Sequence, residues 1–578
     1  MKRIAIDHLP RVEGNGGVFA TVDGNVVTEV KFVINEGARL IERLTIGKTP
    51  EEDVSIVPRI CAICTLSHKN AVLRAMENAL GVKVPPKVTL LRELMHTGEF
   101  VESHSLHVFY LALPDYVGFP NAIAMASKFP FEVKIALEMK QFGNHIMKTL
   151  SGRYIHGENP VIGGFGKYPT REELVWVKNR AVQFMPFVFR TVELFCGLNY
   201  PTVPEADTVY ACCNPEGGKY GLWGEEIILS TGEKIARDDY KSLTNEFLVP
   251  HSLCKRSRYR GNTYSVGALA RLNILGERLE GEAGKMFKKY FNSHWKKNPL
   301  FHNAAQALEI LFCFERIPEL VDEILRYPEN PPIVPYKAKN GKGTGLVEAP
   351  RGLLIHHYEI ADGLVSDVDI ITPTAQNAEE IERYCYLAAQ KLLDEGQEEK
   401  IRDRMDLVVR AFDPCISCSV HMSEVRRVSE DNWKNRLADL IKTEPIFIGV
   451  GTEGRTDDRA GLDLALELRK AGIKAVYLES EIEENHIPEN TVPRPFIFLD
   501  VVHMGEQPGK IVLLPLQHVF WNSVLSHRLL PSVSNRLSYE QIKNSYILGI
   551  QPESIEDGSQ ISPSVEEAIV KILEELKS

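Results

Sequence analysis

The sequence lacks the apolar segments that a membrane or secreted protein needs. None of its 578 residues fall in a run of the ~18 apolar residues that a membrane helix requires. The N-terminus, Met-Lys-Arg-Ile-Ala-Ile-Asp, has no apolar signal-peptide core. A basic stripe for nucleic acid is also missing, because the net charge is -11 and the Lys/Arg runs are short and interrupted. We therefore expect a soluble, cytoplasmic protein with no membrane span and no nucleic-acid partner.

The chain has too few cysteines for its length to form a disulfide framework, which is typical of small secreted domains. The chain has ten cysteines, and none shows the close Cys-x-x-Cys-x-x-Cys spacing of an iron–sulfur cluster. Six of them are expected to be buried small side chains: Cys196, Cys212, Cys213, Cys254, Cys313 and Cys385. We therefore expect this chain to bind no iron–sulfur cluster for electron transfer.

The other four cysteines form two Cys-x-x-Cys pairs, and a histidine follows each pair within four positions. The members are Cys61, Cys64 and His68, then Cys415, Cys418 and His421. Two such pairs supply four soft thiolates, which suit zinc, iron or nickel rather than magnesium or calcium. The spacing alone does not choose the metal, and a closed structural Cys₄ zinc site with no reaction is one alternative.

The residues around both pairs resemble the signatures of the [NiFe]-hydrogenase large subunit. The ordered segments are Arg11-Val-Glu13-Gly14, Ala38-Arg39-Leu-Ile-Glu42, Gly152-Arg153-Tyr-Ile-His156, Gly163-Gly164-Phe165, Glu348-Ala-Pro350-Arg351-Gly352, Thr372-Pro373-Thr374 and Asp413-Pro-Cys415. The resemblance implies reversible heterolytic cleavage of H2 at a Ni–Fe centre with CO and cyanide ligands. The hydrogenase-derived quinone-binding subunit of respiratory complex I is a further alternative, but that branch typically lacks these cysteines.

The resemblance also implies metal ligands. Cys61 and Cys415 are expected to be terminal on nickel, and Cys64 and Cys418 to bridge to iron. Glu42 and His421 are expected to hold a magnesium-type divalent ion.

Further roles concern groups around the centre. Cys415 is the expected first proton acceptor, and Glu13 the carboxylate that carries the proton onward. Arg351 is expected to overhang the metals and contact a cyanide, with its rotamer fixed by Asp413. Pro373 and Thr374 belong to the motif beside the second cyanide, to which the Thr374 hydroxyl would donate.

The periodicity predicts an α+β chain. Alternation over 1–35 indicates strands, and apolar spacing over about 65–200 predicts a helical bundle. After residue 421 the pattern changes to alternating strands and helices, which favours an α/β domain with a largely parallel sheet. We expect a large-subunit domain of mainly helical-bundle type with peripheral strands at 1–421, a linker and cleavable tail at 422–443, and an α/β domain at 444–578.

The C-terminal part resembles the hydrogenase maturation endopeptidases. Gly449-Val-Gly451 is weak evidence for a dinucleotide loop, since the third glycine is misplaced and Asp457-Asp458 follows. The resemblance implies transient nickel binding by Asp458, Asp500 and His527. Departures from the family at Thr452, Arg459, Glu479 and Ser480 leave open a domain that has lost activity and only docks.

Because the protease-like part follows the large-subunit part in the same chain, we predict that it cuts between His421 and Met422, either in its own chain or in a neighbouring copy.

Electrons are expected to pass to a separate iron–sulfur small subunit, then to a diaphorase or other soluble electron-transfer subunits. Maturation factors are expected partners as well. Ala62 and Ser103 depart from the usual residues, and they suggest a cytosolic, bidirectional branch.

Overall fold

The structure, a computed structural model, describes residues 2–34, 36–37, 39–249, 251–420, 433–452, 454, 456–478, 494–502, 507–515, 545–555, 558 and 560–577. The chain divides into two units, Met1–Arg426 and Arg427–Ser578. Both combine helices and strands, so the coarse α+β prediction holds. Along the described ranges, no helix is long and apolar enough to cross a membrane.

The helices of the first unit are α1 Ile41–Thr45, α2 Pro50–Ile56, α3 Thr65–Leu80, α4 Pro86–Leu106, α5 Leu113–Val117, α6 Ala122–Met125, α7 Pro130–Ser151, α8 Arg171–Cys196, α9 Ala268–Leu275, α10 Gly281–Tyr290, α11 His302–Leu325, α12 Pro373–Asp394, α13 Ile401–Ala411 and α14 Ile416–Ser419. Its strands are β1 Lys2–Ile6, β2 Gly16–Asp23, β3 Val26–Ile34, β4 Pro160–Val161, β5 Gly164–Phe165, β6 Val209–Asn214, β7 Glu226–Leu229, β8 Lys234–Ala236, β9 Phe247–Val249, β10 Ser252–Arg256, β11 Tyr264–Ser265, β12 Gly341–Ala349, β13 Gly352–Ala361 and β14 Leu364–Ile371.

Long amphipathic helices build the main core of this unit, where α4 packs against α7 and α11, and α11 against α8. The N-terminal end of α8 is stabilised by local hydrogen bonds. Thr170 caps α8 and Glu173 returns the bond, which satisfies two amide groups at the helix start. Phe142 of α7 stacks on Phe314 of α11 with ring centroids 5.6 Å apart. The alternating N-terminal segment forms the antiparallel sheet β1-β2-β3.

A stripe of small residues sets α3 directly against the sheet β12-β13-β14. Gly341, Gly343 and Gly345 share one face of β12, because side chains in a strand alternate. A Cβ at these glycines would lie 2.2, 2.1 and 2.2 Å from the carbonyl oxygens of α3 residues Ala79, Ala75 and Ala71. Backbone therefore packs on backbone, which fixes the position of the helix that follows Cys64.

The second unit contains β15 Ile446–Val450, β16 Ala475–Leu478, β17 Phe496–Val501, β18 Ile511–Pro515, β19 Tyr546–Ile550, α15 Trp433–Ile441, α16 Ala460–Lys470 and α17 Pro563–Lys577. The strand order is β16-β15-β17-β19-β18, parallel except for the antiparallel pair β18 and β19. Helix α15 lies within the segment predicted as a linker, and its Leu437 is buried in the core of this unit.

Candidate metal centre

The two Cys-x-x-Cys pairs come together at one buried cluster. Cys61 Sγ lies 3.3 Å from Cys415 Sγ, and Cys64 Sγ lies 3.3 Å from Cys418 Sγ. Cys415 and Cys418 are 2.8 Å apart at their sulfurs, and all four Sγ atoms lie within 4.8 Å of one another. Each residue is at most 3% exposed. The predicted convergence of the two pairs is confirmed.

Backbone contacts join the two ends of the unit that carry these cysteines. Cys64 is the N-terminal cap of α3, and Cys415 is that of α14. Glu13 and Cys415 form a parallel bridge, in which the Ile416 amide donates to the Glu13 carbonyl at 3.1 Å. The Arg39 guanidinium donates to the Ile60 carbonyl at 2.6 Å and also to that of Ser417. One arginine thus holds both cysteine segments.

The electrostatics of the cluster favour a bound cation. Burial raises the pKa of the Cys415 and Cys418 thiols well above their usual range. The neighbouring sulfurs, Cys415 first, lower the pKa of Cys61. Four thiolates this close therefore do not coexist in a buried site unless a cation neutralises them. The donor set fits soft metals such as nickel and iron.

Arg351 is held beside the sulfurs by two contacts from one residue. Its Nε donates to the Asp413 carbonyl at 2.7 Å and its Nη2 to Asp413 Oδ1 at 2.8 Å, with Ser103 Oγ at 3.3 Å from Nη1. Gln306 donates to the other Asp413 oxygen at 3.2 Å. Asp413 has φ +50°, a left-handed conformation that is uncommon outside glycine and often marks functional sites. The guanidinium is thereby fixed in one orientation.

Thr374 touches the second cysteine pair through the backbone. Pro373 is the first residue of α12, where its fixed φ suits a helix start. The Cys415 amide donates to Thr374 Oγ1 at 2.8 Å. The hydroxyl proton of Thr374 remains available for a second acceptor.

Glu13 lies between the cluster and a second carboxylate. Its Oε2 accepts from the Ser417 amide at 3.1 Å, and the Ser417 hydroxyl also contacts its carboxylate. The same hydroxyl lies 3.0 Å from Glu36 Oε1. Burial raises the pKa of Glu13. Glu36, which is partly exposed, places a second carboxylate at the Ser417 hydroxyl.

Glu42 belongs to a separate charged cluster. Its Oε1 accepts from Lys255 Nζ at 2.9 Å and from the Ile370 amide at 3.0 Å. Lys255 Nζ also donates to Glu246 Oε2 at 2.7 Å, while Glu246 Oε1 is buried without a hydrogen-bond partner. Two carboxylates share one ammonium, so oxygen donors and excess negative charge fit a hard divalent ion here. His421, the other predicted ligand, lies outside the described residues.

Sequence reasoning missed a histidine pair behind the cluster. His68 Nε2 lies 3.7 Å from Cys418 Sγ, and its Nδ1 lies 3.0 Å from His356 Nε2. In the sequence, His68 stands out only by its position after the first pair, and His356 does not stand out at all. No local pattern links the two histidines, which lie 288 positions apart in the sequence. The one available signal was that His356 lies in a buried strand, which indicates a buried imidazole but not its partner.

In the second unit, two of the three predicted nickel ligands are described. Asp458 follows β15 and Asp500 lies near the end of β17, and these neighbouring parallel strands end at the same edge of the sheet. Both carboxylates are buried. Asp457 instead accepts from the amides of Glu553 and Ser562, each at 2.7 Å, and so anchors its turn. His527 lies outside the described residues.

Comparisons with known proteins bear on both units. The family model described as Nickel-dependent hydrogenase matches residues 39–141 and 227–421. The chain belongs to this family. It is 39% identical over 419 residues to the alpha subunit of sulfhydrogenase 1 of Pyrococcus furiosus, a match that spans 72% of this chain and 98% of that relative. It is 41% identical over 418 residues to the alpha subunit of sulfhydrogenase 2 of the same organism, again with 72% and 98% covered.

Solved hydrogenases share the fold. The NAD+-reducing [NiFe]-hydrogenase in the H2-reduced state superposes with a TM-score of 0.66 and 29% identity, covering 73% of this chain and 100% of that one. The Ni-Fe-Se hydrogenase from D. vulgaris Hildenborough, at 23% identity, has a TM-score of 0.62 with 73% and 100% covered, and it supports the fold alone. The family model described as Hydrogenase maturation protease matches residues 470–578.

This hydrogenase large subunit therefore unites a four-cysteine cluster for hydrogen oxidation and evolution with a maturation protease domain. The zinc and quinone-binding alternatives are not supported by these matches. The implied centre is a Ni–Fe site.

Proposed function

We propose that the four sulfurs hold nickel and iron, with Cys61 and Cys415 on nickel alone and Cys64 and Cys418 shared by both metals. The observation that carries this proposal is the buried convergence of all four Sγ atoms within 4.8 Å. Such a centre, with CO and cyanide on its iron, supplies the site of heterolytic H2 cleavage. The Cys415 thiolate is the first proton acceptor, because a terminal thiolate keeps a lone pair for the proton.

Arg351 and Thr374 shape the space beside the sulfurs. The Arg351 charge is permanent, and the two contacts from Asp413 aim it, so it orients small anionic ligands without further rearrangement. Thr374 accepts from the Cys415 amide and presents its own proton to a cyanide, with Pro373 fixing the start of its helix. These residues act by charge and position.

Glu13 takes the proton from Cys415. Support comes from the bridge between the two residues and from the Ser417 hydroxyl, which touches both Glu13 and Glu36. Burial raises the pKa of Glu13, which favours its protonated form relative to that of an exposed carboxylate. The proton then leaves by way of Ser417 toward Glu36.

Glu42 and His421 form the magnesium-type site in this proposal. The buried Glu246 oxygen without a hydrogen-bond partner and the surplus of carboxylate charge around Lys255 support a divalent ion near Glu42. Mg²⁺ commonly keeps several waters and takes one or two carboxylates. Magnesium would then accompany nickel and iron in the purified chain.

The metal centre is tested on the chain co-produced with its iron–sulfur partner. We expect nickel and iron together, infrared bands from CO and cyanide, and H2-dependent reduction of a viologen dye. Cys418→Ser should abolish all three, whereas Cys385→Ser, a buried cysteine of α12, should keep them. Zinc alone in an otherwise folded protein would overturn the proposal.

The first electron partner is an iron–sulfur small subunit, which passes electrons to a diaphorase or other electron-transfer subunits. The chain has no close cysteine run that would hold a cluster of its own. The names of the relatives, both of them alpha subunits, and the NAD+-reducing activity named for the first solved structure, support this assembly. Co-purification from the native host identifies these partners together with any maturation factors.

The second unit is proposed as a nickel-sensing endopeptidase. Asp458, Asp500 and His527 hold the nickel of the immature centre transiently, and the cut falls between His421 and Met422. Support comes from the maturation protease match and from the shared sheet edge that carries the two aspartates. The proposed boundaries are a large-subunit domain at 1–421, a linker and tail at 422–443, whose helix α15 packs into the core of the second unit, and a protease domain at 444–578.

Mass spectrometry of the chain from its own host tests the cut. We expect a fragment that ends at His421 in active preparations. Asp458→Asn should leave the chain at full length, while Asp463→Asn, on the surface of α16, should still be cut. Only full-length chain in an active native preparation would show instead that the fused domain does not cut.

A further inference from the structure

Three buried side chains form a line of hydrogen bonds that ends at the Cys418 sulfur. His68 Nε2 lies 3.7 Å from Cys418 Sγ, His68 Nδ1 lies 3.0 Å from His356 Nε2, and His356 Nδ1 lies 3.3 Å from the Tyr358 hydroxyl. His68 belongs to α3, while His356 and Tyr358 occupy alternate positions of β13 and so share one face of that strand.

The direction of these bonds follows from the sulfur. A metal-bound thiolate has no proton, so it only accepts, and His68 must carry its proton on Nε2. Its Nδ1 then accepts from the His356 Nε2 proton, and His356 Nδ1 accepts in turn from the Tyr358 hydroxyl. Each neutral imidazole has one donor and one acceptor, so a single tautomer of both rings satisfies the whole line.

Burial makes the alternative arrangement costly. His68 is 1% exposed, and His356 and Tyr358 are 0% exposed. A reversed ring would set two lone pairs or two N–H groups against each other with little access to water. Burial, and then the charge of Asp53, raises the pKa of Tyr358 well above its usual range, so the phenol keeps the proton that it donates.

We infer that His356 and Tyr358 are positioning residues that hold the His68 ring with its Nε2 proton directed at the Cys418 thiolate and, by donating to its Nδ1, strengthen that hydrogen bond. Hydrogen bonds to a metal-bound sulfur draw charge from it and tune the metal's potential. A weaker hydrogen bond from His68 would leave more charge on the sulfur, which would pass to the iron and weaken the bond within a CO ligand. This inference rests on the proposed Ni–Fe centre with its CO.

Infrared spectra of the assembled enzyme test it. Tyr358→Phe removes only the terminal hydroxyl, and His356→Leu removes the donor to His68. We expect the CO band of both variants to move to lower wavenumber, and the larger shift in His356→Leu. His356→Gln, whose amide can donate in place of the imidazole, should restore much of the native position. Tyr210→Phe is the matched control, since this buried tyrosine donates to the Lys296 carbonyl.

The outcomes separate the inference from the proposal beneath it. Absence of CO and cyanide bands in the native enzyme would refute the Ni–Fe centre itself. Native bands that stay in place in Tyr358→Phe and His356→Leu, with nickel content retained, would overturn the positioning role. If His356→Leu fails to load nickel, Tyr358→Phe, which keeps the ring and its packing, decides the question.

Discussion

Replacement of Gly343 by alanine should disable the centre without unfolding the protein. The new Cβ would lie 2.1 Å from the Ala75 carbonyl oxygen and 2.4 Å from the Ala79 amide, both backbone atoms of α3. Favourable contacts begin at about 3.5 Å, so α3 must retreat by about 1 Å. Because Cys64 caps this helix and His68 lies in its first turns, the displacement reaches the sulfurs.

The magnitudes decide which assay is informative. Overpacking of this kind costs about 1–3 kcal/mol. For a unit of roughly 420 residues, that corresponds to a shift of only about 1–3 °C in thermal midpoint. A displacement of about 1 Å at a catalytic constellation, however, is worth a rate loss of about 100-fold. Activity and nickel content are therefore the sensitive measurements.

The experiment compares Gly343→Ala with Gly166→Ala. Gly166 is exposed, and a Cβ there would approach only Asn159, whose side-chain oxygen would lie 3.3 Å away. H2-dependent dye reduction and nickel content should fall in Gly343→Ala and stay native in Gly166→Ala. Native nickel content and full activity in Gly343→Ala would refute the reasoning that backbone packing between β12 and α3 positions Cys64.

Three further predictions concern single charged groups. Arg351→Lys keeps the charge but loses the two-point contact with Asp413, so dye reduction should fall at least about 10-fold with nickel retained; native rates would contradict this. Glu13→Gln should lower dye reduction about 100-fold or more with infrared bands intact, while Glu36→Gln as control should lower it less; equal losses would refute a leading role for Glu13. Burial raises the pKa of Asp53 to about 8, whereas in the unfolded chain it is about 3.9. The folded state therefore keeps a proton that the unfolded state loses, and stability falls as pH rises from about 4 to about 8. Thermal midpoints measured from pH 5 to pH 8 should fall less in Asp53→Asn, and parallel curves would refute this.

Much of the centre was predictable because its residues lie next to recognisable motifs. Cys64 is three positions from Cys61, and Asp413 is two positions from Cys415. Spacing over a few residues can be read from the sequence alone, because it does not depend on which distant segments pack together. The N-terminal strands and long helices were predictable for a similar reason, since periods of two and about 3.6 residues reflect local burial.

The missing parts depend on contacts between distant segments. The pairing of His68 with His356, and the ammonium of Lys255 between Glu42 and Glu246, come from tertiary packing that no local pattern encodes. The antiparallel strand β18 was likewise hidden, because a strand's own residues do not state its direction.

The packing of α3 on β12 is different, because its signal was present in the sequence. Gly341, Gly343 and Gly345 recur at every second position, and Ala71, Ala75 and Ala79 at every fourth. The first spacing puts residues on one face of a strand, and the second puts residues on one face of a helix. Two stripes of small residues at matched periods favour close contact between backbones.

The buried position of the second cysteine pair has a consequence for the order of assembly. Cys415 and Cys418 supply half of the sulfurs, and their segment is held by Glu13 and Arg39 from the other end of the unit. The Arg39 amide donates to the carbonyl of Val420 at 2.9 Å, and Val420 is fully buried. Once these contacts form, protein encloses the metals on the side where residues 413–420 lie. We therefore expect metal loading to precede the final insertion of residues 413–420, and a cut directly after His421 would free that segment to insert.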